Sequence, residues 1–229
     1  FFLTMIEVHH LEHSRSQRII WLLEELGLPY KVTRYARDAK TYLAPPELLK
    51  IHPLGKSPVI TDGDITVAES GAIVEYLIDK AGGKFRPAAG TQAHRDYTYW
   101  MHFAEGTAMP PLVMTLVFNK IENAPVPALL KPIVLPIARG ISKQVKSSFI
   151  NPNLEKQFAY IESVLAKSEW FCGGEMTGAD FMMSFPLEAA MSRADSINNM
   201  PKIAAYVKRI HAMPSFKKAL EVGGPYNYA

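Results

Sequence analysis

The amino-acid sequence predicts an α/β domain followed by a larger all-helical domain. Every convincing strand pattern falls within the first 81 of the 229 residues, where strands alternate with helical stretches. From residue 91 onward, apolar residues recur at helical spacing. A segment rich in glycine and proline, residues 82–90, separates the two parts. The expected division is therefore a first domain over 1–81, a linker over 82–90 and a helical domain over 91–229.

The first domain opens with a strand, a helix and a second strand. Ile6–Leu11 is expected to be the first strand, and residues 14–26 carry the apolar spacing of an amphipathic helix. Gly27 is expected to end that helix as its C-cap. Residues 30–34 alternate apolar and polar side chains, as a strand does. A helix between two strands indicates that the strands are parallel.

A hairpin and a helix complete the first domain. Residues 59–61 and Ile65–Ala68 flank the turn residues Asp62, Gly63 and Asp64, which predicts a tight hairpin. Ser70–Lys80 then reads as an amphipathic helix. The resulting order, β-α-β-(α)-β-β-α, is that of the thioredoxin-like fold.

In the second domain, Pro110-Pro111 and residues 125–127 are expected to separate helices, which are predicted over 91–108, 112–122, 128–149, 153–167, 178–193, 201–212 and 215–221.

Composition excludes several classes of protein. The single cysteine, Cys172, rules out an intrachain disulfide framework, a Cys-x-x-Cys pair and a multi-cysteine zinc site, and it is expected to be a buried structural thiol. The 25 basic and 22 acidic residues are interspersed, so no nucleic-acid-binding face is predicted. No metal site is predicted, because the histidines lack carboxylates at ligand spacing. Apolar runs are too short to cross a bilayer, and a cytoplasmic protein without a membrane partner is expected. Met5 is a plausible start, with residues 1–4 a tag remnant or an extension.

Three local features of the first domain suggest a ligand site. The turn into the first helix carries Ser14, whose hydroxyl could cap the helix or donate a hydrogen bond to an anion at the helix N-terminus. A cis peptide bond between Ser57 and Pro58 would turn the Ser57 N–H and C=O outward to pair with a peptide ligand, whereas a trans bond would make this an ordinary loop. Glu69 and Ser70 adjoin a helix entrance and could hold an ammonium and a carboxylate group, or form a simple cap with Ser70 as N-cap.

Several strings resemble the cytosolic glutathione transferases, over nearly the whole chain. They are the stretch from Ser14 to Tyr30, the string Pro53-Leu54-Gly55-Lys56-Ser57-Pro58-Val59, and Glu69-Ser70-Gly71-Ala72-Ile73. Thr177-Gly178-Ala179-Asp180 resembles the capping box of that family, which serves folding. Residues 99–106 look like the serine-type bacterial and fungal branch.

The resemblance implies an enzyme that joins the thiolate of reduced glutathione to small hydrophobic electrophiles, with glutathione peroxidase activity left open. Glutathione is then a co-substrate, and no further cofactor is implied. Ser14, four residues before Arg18, is implied to donate a hydrogen bond to the sulfur; Ser16 is a weaker alternative. The implied glutathione-binding residues are Lys56, Ser57, Pro58, Glu69 and Ser70. Ser57 stands where an apolar residue is commoner, which is expected to make the pocket more polar.

The electrophile is expected to bind between the domains. Tyr99, His102 and Phe103 share one face of a predicted helix and are candidates to line that pocket, with core packing as the alternative. The resemblance also implies a homodimer, in which Glu105 reaches the glutathione of the neighbouring subunit; a solvated or intradomain charge is the alternative. Two other functions compete: a binding module without catalysis, and a thiol-disulfide oxidoreductase, which would need a cysteine near position 14.

Overall fold

Four strands of the N-terminal part form one mixed sheet in the computed structural model, which describes residues 5–193 and 199–228. Residues 1–4, expected to be a tag remnant or an extension, lie outside the described residues. The strands are β1 (Ile6–Leu11), β2 (Tyr30–Tyr35), β3 (Val59–Asp62) and β4 (Ile65–Ala68), in the order β2-β1-β3-β4. β1 pairs with β2 in parallel, whereas β3 is antiparallel to both β1 and β4. The predicted parallel pair and hairpin are therefore confirmed.

Two helices cover this sheet, and the first is buried from Gln17 to Leu23. They are α1 (Gln17–Leu26) and α2 (Ser70–Lys80). Gly27 ends α1 as predicted, with φ at 66° and its N–H bonded to the carbonyl of Leu23 at 3.0 Å. Trp21 is fully buried, with ring centroids 4.3 Å from Phe181 and 5.6 Å from Phe216 in the C-terminal part. The helix thus joins the sheet to the helical part.

In the described residues of the C-terminal part, the secondary structure consists of helices joined by loops, with one isolated β-bridge. Its helices are α3 (Gln92–Phe103), α4 (Met109–Glu122), α5 (Lys131–Val145), α6 (Asn151–Leu165), α7 (Gly178–Arg193), α8 (Pro201–Ala212) and α9 (Pro214–Gly223). Together with the mixed sheet, they confirm the predicted fold class. None of the helices in the two described ranges is both long and apolar enough to cross a membrane.

The expected break at Pro110-Pro111 is wrong. A π-helical turn, Ala104–Ala108, joins α3 to α4, so that the chain stays helical from Gln92 to Glu122. The two prolines fall in the first turn of α4, where a missing N–H does little harm. A second π turn, Lys146–Ile150, links α5 to α6 in the same way. This geometry matters for function, because the first π turn carries Glu105.

The predicted capping box at the start of α7 is half formed. Asp180 accepts a hydrogen bond from the backbone N–H of Thr177 at 2.8 Å, as a capping box requires. The Thr177 hydroxyl, however, donates to Asp180 at 3.1 Å instead of accepting from the helix. Asp180 also accepts from Phe171 N–H at 3.1 Å and from the Tyr206 hydroxyl at 2.9 Å. The motif therefore ties the start of α7 to α8 and to the preceding loop.

Cys172 lies in that loop and is partly buried. The Thr177 hydroxyl lies 3.3 Å from its sulfur. Burial raises the pKa of the Cys172 thiol to about 12. The thiol therefore stays protonated at neutral pH, which agrees with the expected structural role.

Candidate functional site

A cleft of about 250 Å³ opens where β3, α2 and the turn after β1 meet. Six of the residues singled out by sequence share its wall: Lys56, Ser57, Pro58, Glu69, Ser70 and Glu105. The remaining lining residues are Arg15, His52, Leu54, Val59 and Ala68. Charged groups of both signs, a helix N-terminus and an extended segment thus face one small space.

The extended wall of the cleft is the segment Ser57-Pro58, whose peptide bond is cis. The Ser57 hydroxyl donates to the carbonyl of His9 at 2.8 Å and accepts from the N–H of Leu11 at 3.2 Å. These bonds hold the segment against β1, and the expectation that Ser57 makes the pocket more polar stays a prediction. Within the described residues, the N–H and C=O of Ser57 form no hydrogen bond. They are available to a peptide ligand.

The opposite wall is the entrance of α2. Glu69, not Ser70 as predicted, occupies the N-cap position, and its side chain forms no capping bond. Glu69 has φ 71° and ψ 127°, a conformation that costs a non-glycine residue about 1–3 kcal/mol. Its carbonyl accepts the Ile73 N–H at 2.9 Å, and its carboxylate lies at the exposed rim. Ser70 is the buried first residue of the helix, so its N–H lies at the positive end of the helix dipole.

The turn between β1 and α1 differs from its prediction. The helix begins at Gln17, because Ser14 accepts the Ser16 N–H at 3.3 Å and forms a tight turn ahead of the helix. The Ser14 hydroxyl lies 2.7 Å from the Ser16 hydroxyl, which lies 2.8 Å from Nδ1 of His10. Burial lowers the pKa of His10 to about 4, so the ring is neutral and can accept from Ser16. Ser14 is buried in this network and lies outside the lining of the cleft.

Two arginines hold Glu105: Arg15 of the same turn and Arg18 of α1. Arg15 Nε lies 3.0 Å from both carboxylate oxygens, and Arg18 Nη2 donates to one of them. Arg18 is almost fully buried, and its Nη1 donates to the carbonyl of Met182 in α7 at 2.8 Å. Burial alone would raise the pKa of Glu105, but the two guanidinium groups outweigh it and lower that pKa. The carboxylate is therefore ionised and belongs to the cleft of its own chain.

The three candidates for an electrophile pocket do not line this cleft. Phe103 is a core residue, with its ring centroid 4.9 Å from that of Trp100, as the core-packing alternative holds. Tyr99 is about half exposed and lies beside Phe103, at 5.5 Å between ring centroids. His102 is exposed.

Sequence reasoning missed the aromatic surroundings of the two arginines. Phe185 of α7 lies 5.3 Å from the Arg15 guanidinium and 5.9 Å from that of Arg18. The C-terminal segment returns to this place, where Tyr228 packs edge-on against Phe185 and the N–H of Asn227 donates to His13 at 3.2 Å. These contacts span long stretches of sequence, so no local pattern could have indicated them.

Comparisons with known proteins agree with this geometry. Residues 3–79 match the family model "Glutathione S-transferase, N-terminal domain", and residues 136–222 match "Glutathione S-transferase, C-terminal domain". Glutathione S-transferase 3 of Schizosaccharomyces pombe is 36% identical over 95% of this chain and 87% of its own length. Glutathione S-transferase 1 of Saccharomyces cerevisiae is 32% identical, over 96% and 95% respectively.

A solved structure gives the same result. The glutathione S-transferase of Actinobacillus pleuropneumoniae superimposes with a TM-score of 0.77 at 32% identity, covering 98% of this chain and 95% of that one. Because both the sequence and the fold match over nearly the full length, the chain belongs to the glutathione S-transferase family and is an enzyme of that family.

Proposed function

We propose that this protein joins the thiolate of reduced glutathione to small hydrophobic electrophiles. The observation that carries the proposal is the cleft itself, which places a free backbone edge at Ser57 opposite the N-terminus of α2 with Glu69 beside it. A γ-glutamyl group carries an ammonium and a carboxylate on one carbon. An acidic side chain next to a helix N-terminus complements both charges.

Each part of the tripeptide has a partner in this arrangement. Glu69 binds the ammonium group, while Ser70 and the first N–H groups of α2 bind the γ-glutamyl carboxylate. The backbone of Ser57, next to Pro58, pairs with the cysteinyl unit as an added strand would. Lys56, exposed on the same wall, binds the glycyl carboxylate. Glutathione serves as co-substrate, and the proposal includes no resident cofactor.

The sulfur is proposed to lie at the turn between β1 and α1, where Ser14 is the sequence-based candidate for its hydrogen-bond donor. In the reaction, the S–H proton leaves to solvent and the thiolate attacks an electrophilic carbon. The leaving group departs with the electron pair of the broken bond, or an epoxide oxygen takes up a proton. A free thiol has a pKa of about 8.5, so stabilising the thiolate raises the reactive fraction at neutral pH.

The similar proteins support this activity, and they come from fungi and from a bacterium. Two fungal relatives are named glutathione S-transferases, as is the bacterial structure. We propose that the chain belongs to the serine-type branch on this ground, together with the position of Ser14 four residues before Arg18.

We also propose a homodimer. Exposed apolar side chains recur at helical spacing along α5, and they include Ile133, Ile137 and Ile141, each more than half exposed. α4 adds Val117 beside them, about half exposed. Exposed apolar side chains that repeat along one helix in this way are characteristic of an interface. Light scattering should give twice the mass of one 25.6 kDa chain, and a mass near 25.6 kDa at micromolar concentration would contradict the dimer.

The proposed activity is tested by assaying chloroaromatic, epoxide and hydroperoxide substrates with glutathione. Conjugation of a chloroaromatic or an epoxide is the expected result, and turnover of the hydroperoxide alone would identify a peroxidase instead. Binding without turnover of any substrate would favour the binding-module alternative.

A further inference from the structure

We propose that the guanidinium group of Arg15 contacts the glutathione sulfur and stabilises its thiolate, a role that rests on the proposed function. Arg15 belongs to the turn directly after β1. It is the residue of the Glu12–Gln17 region whose side chain lines the cleft, where the sulfur is proposed to lie. This assignment adds a cation to the thiolate site that no motif in the sequence indicates.

The side chain of Arg15 is held in place by Glu105 and Phe185. Its Nε lies 3.0 Å from both oxygens of Glu105, and Phe185 lies 5.3 Å from the guanidinium carbon. Both hydrogen bonds to the described chain come from Nε, so the N–H groups of Nη1 and Nη2 remain for a ligand. The side chain is 33% exposed. A guanidinium group restrained at Nε and open at its outer edge is well arranged to bind an anion.

The charges around Arg15 favour an anion as well. Arg15, Arg18 and Glu105 form one cluster, and two guanidinium groups with one carboxylate leave a net charge of +1. Arg18 is only 1% exposed, so the excess positive charge reaches the cleft through Arg15. The other titratable groups of the lining are His52, Lys56 and Glu69. Under the proposed function, Lys56 and Glu69 bind the two ends of glutathione. Arg15 is then the charged group that is left to bind the central cysteinyl sulfur.

Ser14 is placed less well for this role. The residue is only 6% exposed, and its hydroxyl lies within hydrogen-bond distance of Ser16 Oγ. It also accepts the Ser16 N–H, and the network continues to His10. To reach the sulfur, the Ser14 hydroxyl would have to leave this buried network. Arg15 already faces the cleft.

The proton balance of the step is simple. Glutathione loses its S–H proton to solvent on binding, and the guanidinium group, which is always cationic in proteins, neither gives nor takes a proton. A neighbouring cation can lower a thiol pKa from about 8.5 by one to several units. Without the charge on Arg15, the bound thiol should therefore titrate closer to the value of free glutathione.

The test is the ultraviolet absorbance of bound thiolate against pH, measured on glutathione-saturated protein. Arg15→Gln should raise the pKa of the bound thiol by about one unit or more relative to wild type. Turnover at low pH should fall about tenfold and recover at high pH, where the thiolate forms unaided. Arg15→Lys keeps the charge and should retain most of the wild-type shift. Arg95→Gln is the matched control on an exposed arginine outside the cleft, and it should change nothing.

The contradicting results are equally specific. If Arg15→Gln still saturates with glutathione and its thiol pKa equals that of wild type, the assignment is wrong, whether or not the affinity has dropped. If Ser14→Ala raises the pKa of the bound thiol and Arg15→Gln does not, Ser14 is the residue that stabilises the thiolate. If Arg15→Gln fails to fold, the pKa of the bound thiol is measured on Arg15→Met instead. Failure of the wild-type protein to bind glutathione would instead refute the proposed function.

Discussion

Glu105 is the carboxylate partner of a buried guanidinium group, and its replacement by glutamine removes the charge while keeping the size of the side chain. The group it leaves unpaired is Arg18, which links α1 to the carbonyl of Met182 in α7. Nε of Arg18 is buried without a hydrogen-bond partner in the described residues, so Glu105 carries most of its charge compensation. The substitution should therefore weaken the contact between the two parts of the protein.

The expected loss in the free energy of unfolding is about 2–3 kcal/mol. Removing one member of a buried ion pair typically costs about 3–5 kcal/mol, because the other charge stays buried. Two features reduce that figure here. The Glu105 side chain is 33% exposed, so water can approach the pair, and the glutamine carbonyl can still accept one hydrogen bond worth about 1 kcal/mol.

Urea denaturation, followed by tryptophan fluorescence, measures the loss. Glu221→Gln is the matched control: Glu221 pairs with Lys218 at the surface, with 69% of its side chain exposed, and the change should be below about 0.5 kcal/mol. A loss below about 1 kcal/mol for Glu105→Gln would place this pair among surface salt bridges and refute the reasoning.

The same variant should show a defined pH dependence. The pKa of Glu105 is lowered in the folded protein, so its contribution is present above the unfolded pKa of about 4.3 and is lost as the pH falls through the folded value. Because glutamine does not titrate, the difference between wild type and Glu105→Gln should shrink below about pH 4. A constant difference down to pH 3 would show that charge is not its cause.

Two further substitutions test the framework of the site. Gly178→Ala should cost about 1–3 kcal/mol in thermal or urea denaturation, because an added Cβ would lie 2.7 Å from Ile78 Cδ1 and 2.9 Å from the Tyr97 ring; an unchanged midpoint would contradict this close approach. Ser57→Ala should weaken glutathione binding in calorimetry and cost about 1–2 kcal/mol in stability, since the hydroxyl bridges two backbone groups of β1. Unchanged affinity and stability would show that this bridge is dispensable.

The elements with strong local signals could be predicted from the sequence. β1, the C-cap at Gly27 and the helix Ser70–Lys80 agree with their predictions to the residue. Each is defined by apolar spacing or by a residue that favours one backbone conformation. The predicted start of α1 is three residues early, because the Ser14 side chain closes a turn that resembles a helix cap in sequence.

The interdomain features of the site could not be predicted from local pattern. Arg18 and Glu105 are 87 residues apart, and Arg18 and Met182 are 164 apart. The sequence around one residue of such a pair does not indicate the other residue, because the contact forms only when the sheet packs against the helices. The position of Glu69 and Ser57 in the wall of the cleft could be predicted. Each residue lies close to the end of a strand, and the place of that strand in the sheet follows from the strand order.

The central claim is that the cleft recognises glutathione through its γ-glutamyl group, at Glu69 and the N-terminus of α2. Calorimetric titration of the wild-type protein with reduced glutathione and with cysteinylglycine, which lacks that group, tests it most directly. We expect saturable binding of glutathione and binding of the dipeptide that is weaker by at least about tenfold, the equivalent of 1.4 kcal/mol. Equal affinities, or no heat and no thermal stabilisation at millimolar glutathione, would contradict the account.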